Sequence, residues 1–255
     1  MNYLIIPLLL TPFLFLKPKS KPKLKTSPET IDLGNQITAF PRIQIQDHGQ
    51  KAPMIIVIPG RNATETQLQS TIPKDLKAKV FFLRSEKPKR LFFEPRLKYE
   101  EEIVAPALKE AGKEIEEGIA KLLKLYPTNN LIIFGFSAGS ALALTYGLTG
   151  KANTVMGFSG SLPSTLWPKS KNNTKILMWH GNLDTTVPYE LGLNTAKAFE
   201  DAGFFTRFKE KKNSHITPPK EVVKEYFEIA LGDKESCFLT SSPTGIYDQT
   251  KKTKF

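Results

Sequence analysis

Ser137 stands between Gly135 and Gly139 in Leu131-Ile132-Ile133-Phe134-Gly135-Phe136-Ser137-Ala138-Gly139-Ser140-Ala141-Leu142-Ala143-Leu144. The chemistry this pattern offers is nucleophilic: a hydroxyl attacks an electrophilic carbon once a neighbouring base takes its proton. Four apolar residues run into Gly-x-Ser-x-Gly, and a small, apolar, helix-forming run follows. A buried strand that turns sharply into a helix leaves one serine exposed on the turn. Gly135 and Gly139 have no Cβ, so strand and helix can crowd Ser137 from both sides. A serine at a helix N-terminus also has free backbone amides beside it, where negative charge can develop.

A serine nucleophile needs a base and an acid, and on this kind of turn they follow in the order acid, histidine. The chain has three histidines, His48, His180 and His215. His48 precedes the serine and reads as a surface turn residue. His180 directly precedes Gly181 at a strand end, with no acid-bearing loop ahead of it, and reads as a structural histidine holding its loop. His215, in Asn213-Ser214-His215-Ile216, lies between the last strand and the last helix and is the expected general base. Asp184, just past a strand end, is the expected acid. Its alternative role is to cap the helix that follows. Glu200 and Asp201 fall late in a helix, and Asp233 and Asp248 in a polar tail. Two preset donors are needed for the oxyanion. The expected pair is the amide of Ala138 and the amide of Arg61, the latter in the loop after Met54–Ile58, where Gly60 allows close approach. No metal-ligand cluster, glycine-rich phosphate loop or dinucleotide fingerprint is present in the sequence, so neither metal nor cofactor is expected.

These residues need a frame. Phe40–Gln46 alternates with period two, as an outer strand does. Met54–Ile58, Lys79–Arg84, Thr154–Phe158, Lys175–Trp179 and Phe204–Phe208 read as further strands. Continuous apolar runs among them fit strands buried on both faces. Tyr99–Tyr126 repeats Ile103, Leu108, Ile115, Ile119 and Leu122 at helical spacing, with Pro106 and Gly112 expected to break or kink it. Pro188–Ala202 and Pro218–Leu231 are the later helices. Strands alternating with helices predict a mostly parallel sheet in one domain over residues 36–231. Between them, residues 85–97 form a basic, aromatic loop. Its Leu91, Phe92 and Phe93 either line an acyl pocket or pack the loop onto the body.

The chain has 255 residues and a net charge of +11, with 40% apolar and 24% charged residues. That length suffices for one α/β domain with a full core. Five lysines of the charge excess lie between Lys17 and Lys25. No basic stripe interleaved with arginine or aromatic residues runs through the body, so nucleic acid is not the expected partner. The single cysteine, Cys237, excludes an internal disulfide and lies in the polar tail of residues 232–255. Residues 1–16 form an apolar anchor or signal-like segment, followed by a Lys/Pro-rich linker over 17–35. As a helix, the apolar run Tyr3–Leu16 spans about 21 Å, short of a hydrocarbon core of about 30 Å. Its lysines follow the apolar run rather than precede it. The expectation is membrane association through residues 1–25 with the domain on the cytoplasmic side; an atypical export signal is the alternative.

Three blocks resemble the phospholipase/carboxylesterase family of α/β-hydrolases, which includes the acyl-protein thioesterases. They are Ile133–Leu144 with Gly157-Phe158-Ser159-Gly160-Ser161-Leu162-Pro163; Ile176–Pro188, containing His180-Gly181-Asn182-Leu183-Asp184-Thr185-Thr186-Val187-Pro188; and His215-Ile216. The likeness covers about residues 50–231. It implies an α/β-hydrolase fold, a mostly parallel central sheet with helices on both faces in a three-layer sandwich. It also implies hydrolysis of carboxylic esters or thioesters through an acyl-enzyme without cofactor, with Asp184 in the position of the family's acid. Three positions depart from the family's habit. Pro59-Gly60-Arg61 stands where His-Gly is usual, Ala138 where glutamine is usual, and Asn213-Ser214 where a glycine is often found. The competing expectations are a membrane-tethered, non-catalytic scaffold on the same fold, and a peptidase or depolymerase.

Overall fold

A computed structural model describes residues 30–42, 52–87, 92 and 101–232. Eight strands form one sheet: β1 (Ile31–Gly34), β2 (Ile37–Pro41), β3 (Met54–Ile58), β4 (Lys79–Ser85), β5 (Leu131–Phe136), β6 (Thr154–Phe158), β7 (Lys175–Gly181) and β8 (Thr206–Lys211). Their order is β1-β2-β4-β3-β5-β6-β7-β8. β1 and β2 pair antiparallel, as do β2 and β4. Every pairing from β4 to β8 is parallel. The helices are α1 (Glu65–Gln69), α2 (Glu101–Leu125), α3 (Ala138–Gly147), α4 (Tyr189–Asp201) and α5 (Lys220–Leu231).

The continuous apolar runs exist because both faces of the sheet are covered. Met54, Ile56, Ile58, Leu131, Ile133, Val155, Ile176 and Met178 point to one face, against side chains of α2, α3 and α4. The alternate residues Ile55, Val57, Ile132, Phe134, Met156, Phe158, Leu177 and Trp179 point to the other, against α1 and α5. The result is a three-layer α/β sandwich. α3 is apolar nearly all round because it is buried nearly all round. α5 is tied to β7 by the Tyr226 hydroxyl, which donates to the Met178 carbonyl at 2.6 Å.

Four expectations change. The sheet begins before residue 36: β1 lies inside the stretch read as linker, joined to β2 by Asn35 and Gln36 at φ 52° and 58°. The outer strand read over Phe40–Gln46 is instead Ile37–Pro41, with residues 43–51 outside the described chain. α2 runs unbroken through Pro106 and Gly112. Gly112 faces α3, where an added Cβ would sit 3.0 Å from Thr145 Cγ2, so it serves helix packing rather than helix termination. The last strand is Thr206–Lys211 rather than Phe204–Phe208. As an edge strand it carries no fully buried side chain, while Phe204 packs edge-on against Phe199 of α4, ring centroids 5.0 Å apart.

His48, Leu91, Phe93, Cys237, the N-terminal apolar segment and the C-terminal tail lie outside the described residues. Among the described residues no helix is long and apolar enough to cross a membrane.

Candidate active site

The C-terminal ends of β5, β6, β7 and the loop after β8 converge on one place. β5 ends at Phe136, and Ser137 follows as the N-cap of α3 with φ 55° and ψ −122°. A non-glycine residue at positive φ costs on the order of 1–3 kcal/mol, and such strain is held only where the surroundings fix it. Here they do. Ser137 N–H donates to the Phe158 carbonyl of β6 at 2.9 Å. A Cβ on Gly135 would fall 2.2 Å from the Gly139 carbonyl oxygen, and one on Gly139 would fall 2.1 Å from the Ile58 carbonyl oxygen. Both glycines are therefore required by close backbone approach.

β7 delivers His180 and Gly181, and the turn after it delivers Asp184. The carboxylate side chain is fully enclosed. Its Oδ1 accepts the amides of Thr186 at 2.9 Å and Val187 at 3.0 Å. Its Oδ2 accepts His215 Nδ1–H at 2.7 Å. His215 Nε2 in turn accepts the Ser137 hydroxyl at 2.9 Å. The three residues thus form one relay from hydroxyl to imidazole to carboxylate. The contacts that the two alternatives for Asp184 require fall on different oxygens, the turn amides on Oδ1 and His215 on Oδ2. The N-cap position of α4 is Pro188, which makes no side-chain cap bond, so Asp184 holds the tight turn before α4 rather than the helix end.

The loop holding His215 is stitched to the loop holding Asp184. Asn182 N–H donates to the Lys211 carbonyl and Leu183 N–H to the Asn213 carbonyl, both at 3.0 Å. Ser159, fully buried at the end of β6 with φ 49°, donates its hydroxyl to the Ile216 carbonyl at 3.2 Å. The His215 ring lies 5.2 Å from the Phe136 ring. His180 is fully buried, and its Nε2–H donates to the Val187 carbonyl at 2.9 Å. Burial drives its pKa below the ordinary histidine value, against the opposing pull of the Val187 bond and the Asp184 charge. Ser159, Thr186 and Val187 were not among the residues singled out in the sequence. The His180-Gly-x-x-Asp184 spacing is the signal that ties His180 to the acid.

Gly60 lies against the serine, since a Cβ there would sit 3.0 Å from Ser137 Cβ. The Gly60 backbone is therefore beside Ser137. Ala138 opens α3, so the helix offers its N–H no partner. Phe92 is 6% exposed and belongs to the core on the α2, α3 and α4 face of the sheet. Among the described residues no group of His, Cys, Asp or Glu could hold a metal ion.

The strand order and the strand–serine–helix turn are those of an α/β-hydrolase, and solved structures share the fold. Residues 91–229 match the phospholipase/carboxylesterase family, and the chain belongs to that family. Acyl-protein thioesterase 1 of Neurospora crassa is 32% identical over 105 residues, 38% of this chain and 40% of that protein. The match thus spans under half of that relative's length. The carboxylesterase of Bacillus cereus superposes with a TM-score of 0.64 at 17% identity, over 77% of this chain and 96% of that one. Acyl-protein thioesterase 2 of Zea mays superposes with a TM-score of 0.59 at 21% identity, over 76% and 99%.

Proposed function

We propose that the protein is a serine hydrolase of carboxylic esters or thioesters, acting through an acyl-enzyme. The observation that carries this is the continuous relay Ser137–His215–Asp184, with contacts of 2.9 and 2.7 Å. Ser137 Oγ attacks the acyl carbonyl as His215 Nε2 takes its proton. The Asp184 carboxylate holds the ring and offsets the charge it acquires. The amides of Ala138 and Arg61 bind the oxyanion. Collapse of the tetrahedral intermediate expels an alcohol or thiol, which receives the proton from His215. Water activated by the same imidazole then attacks the acyl-Ser137 ester, releases the acid and restores the hydroxyl.

Purified protein incubated with p-nitrophenyl esters of short and medium chain is expected to turn over. A fluorophosphonate probe is expected to label Ser137, with both signals abolished in Ser137→Ala. Absence of turnover and of label would leave the scaffold reading in its place. The hydrogen bond between Ser137 and His215 argues against that scaffold, because an inactive site has no need to hold a strained serine on a histidine.

For the N-terminal segment we propose membrane association, motivated by Tyr3–Leu16 and the five lysines that follow. Deleting residues 1–28 is expected to move the protein from the membrane to the soluble fraction. An unchanged distribution counts against the anchor.

A further inference from the structure

His180 lies inside the sheet's α4 face with 0% exposure, and its two ring nitrogens have different surroundings. Nε2 is 2.9 Å from the Val187 carbonyl and 3.3 Å from Asp184 Oδ2, both acceptors, so the proton must be on Nε2. Nδ1 is buried without a hydrogen-bond partner among the described residues. It packs on Gly192 of α4, where an added Cβ would fall 2.2 Å away. A proton on Nδ1 would point into that backbone and find no acceptor, which keeps the ring neutral.

We propose that His180 is a positioning residue for Asp184: its Nε2–H, donated to Val187 O and lying against Asp184 Oδ2, fixes the carboxylate plane and leaves His215 as the one imidazole that takes up charge. The proposal rests on the serine-hydrolase reading of Ser137, His215 and Asp184. The Asp184 carboxylate then has three hydrogen-bond donors, two amides on Oδ1 and His215 on Oδ2, with the His180 Nε2 a further 3.3 Å contact on Oδ2. Removing the His180 donor leaves more of the carboxylate's charge for the His215 imidazolium. The base then holds its proton more tightly, and the acid limb of kcat/KM moves to higher pH. The titratable groups around His180 are Asp184 and His215 from the two loops, Tyr189 of α4 with its ring 6.1 Å away, and Glu210, its register partner on β8, which binds the Tyr189 hydroxyl.

The test uses His180→Leu, His180→Gln, Asp184→Asn and the double variant His180→Leu/Asp184→Asn, assayed by ester hydrolysis and by rate of fluorophosphonate labelling. His180→Leu is expected to lower kcat by about 10- to 100-fold, the scale of a lost hydrogen bond to a charged group. KM stays close to wild type and the acid limb shifts upward. Glutamine, whose amide can take the place of Nε2–H, restores most of the rate. In the Asp184→Asn background the leucine adds little further loss. An unshifted acid limb, or full additivity of the two losses, overturns the proposal. If the leucine variant does not fold, nitrogen-15 imidazole spectra of the wild type decide. A neutral ring protonated at Nε2 is expected; a ring protonated at Nδ1 at neutral pH overturns the assignment. A wild type that neither hydrolyses esters nor labels refutes the hydrolase reading itself. An active wild type with an indifferent His180→Leu refutes only the role of His180.

Discussion

Gly181 and Asn213 meet backbone to backbone: a Cβ on residue 181 would lie 2.3 Å from the Asn213 carbonyl oxygen and 2.5 Å from that of Ser214. The same Asn213 oxygen accepts the Leu183 amide at 3.0 Å. This contact joins the loop carrying Asp184 to the loop carrying His215, so the Ser137–His215–Asp184 geometry leans on a residue outside it.

Gly181→Ala tests that join. The methyl group meets backbone rather than a flexible side chain, so one loop must move. Overpacking of this kind costs about 1–3 kcal/mol. The relay geometry is expected to suffer more than the stability, with kcat down by at least about tenfold because small misplacements of reacting groups are expensive. Steady-state kinetics and urea unfolding on the same sample separate the two. A variant that loses stability but keeps kcat would show that the join does not set the geometry.

Asp184→Asn separates the two oxygens of the acid. The amide oxygen can still accept from Thr186 and Val187, so the turn holds and KM changes little. The NH2 at the other end donates to His215 Nδ1, which puts the ring proton on Nε2 where it can no longer take the Ser137 proton, and it offsets no charge. A loss of about 10⁴ in kcat is expected by analogy with the equivalent change in other triads. A loss below tenfold would move the acid's role to another residue.

What was legible in the sequence was what is local. The strand–serine–helix turn could be read because Gly135, Ser137 and Gly139 fall within five residues, and the apolar runs because each strand declares its own burial. The order serine, acid, histidine then placed Asp184 and His215. What was not legible depends on contacts between distant segments. β1 is a four-residue edge strand, too short for its period to stand out, and its hairpin turns through Gly34, Asn35 and Gln36, all at positive φ. The start of β8 was misplaced because Phe204 is apolar for the sake of Phe199, not for the sheet. Phe92 carried no local sign of the burial it has in the core. His180 read as a loop-holding residue, which its bond to Val187 is; only the folded chain brings its other contact, Asp184, within 3.3 Å.

The stability of the domain should depend on pH through His180. Burial lowers its pKa from 6.5, so the unfolded chain binds a proton at a pH where the native chain does not. Stability is then fully present above about pH 6.5 and falls as the pH drops toward the lower native value. His180→Gln, which has nothing to titrate there, should flatten this part of the curve. Urea unfolding at about pH 7.5 and about pH 5.5 measures the difference between wild type and variant. Equal pH dependence in both would assign the effect to other groups.

Arg61 permits a test of the oxyanion site that leaves its surroundings in place. Ala63 N–H donates to the Gly60 carbonyl at 3.2 Å, which makes residues 60–63 a turn with Arg61 second and Asn62 third at φ 57°. Proline is favoured at the second position of a turn whose third residue has positive φ. Arg61→Pro should therefore keep the turn while deleting one of the two N–H groups proposed, with that of Ala138, to bind the oxyanion. Loss of a single oxyanion donor costs about 10²–10³ in kcat. Arg61→Ala keeps the amide and removes only the guanidinium, so its kcat should stay within a few-fold of wild type. If alanine is as damaging as proline, the side chain of Arg61 is what the reaction uses, and the second donor lies elsewhere.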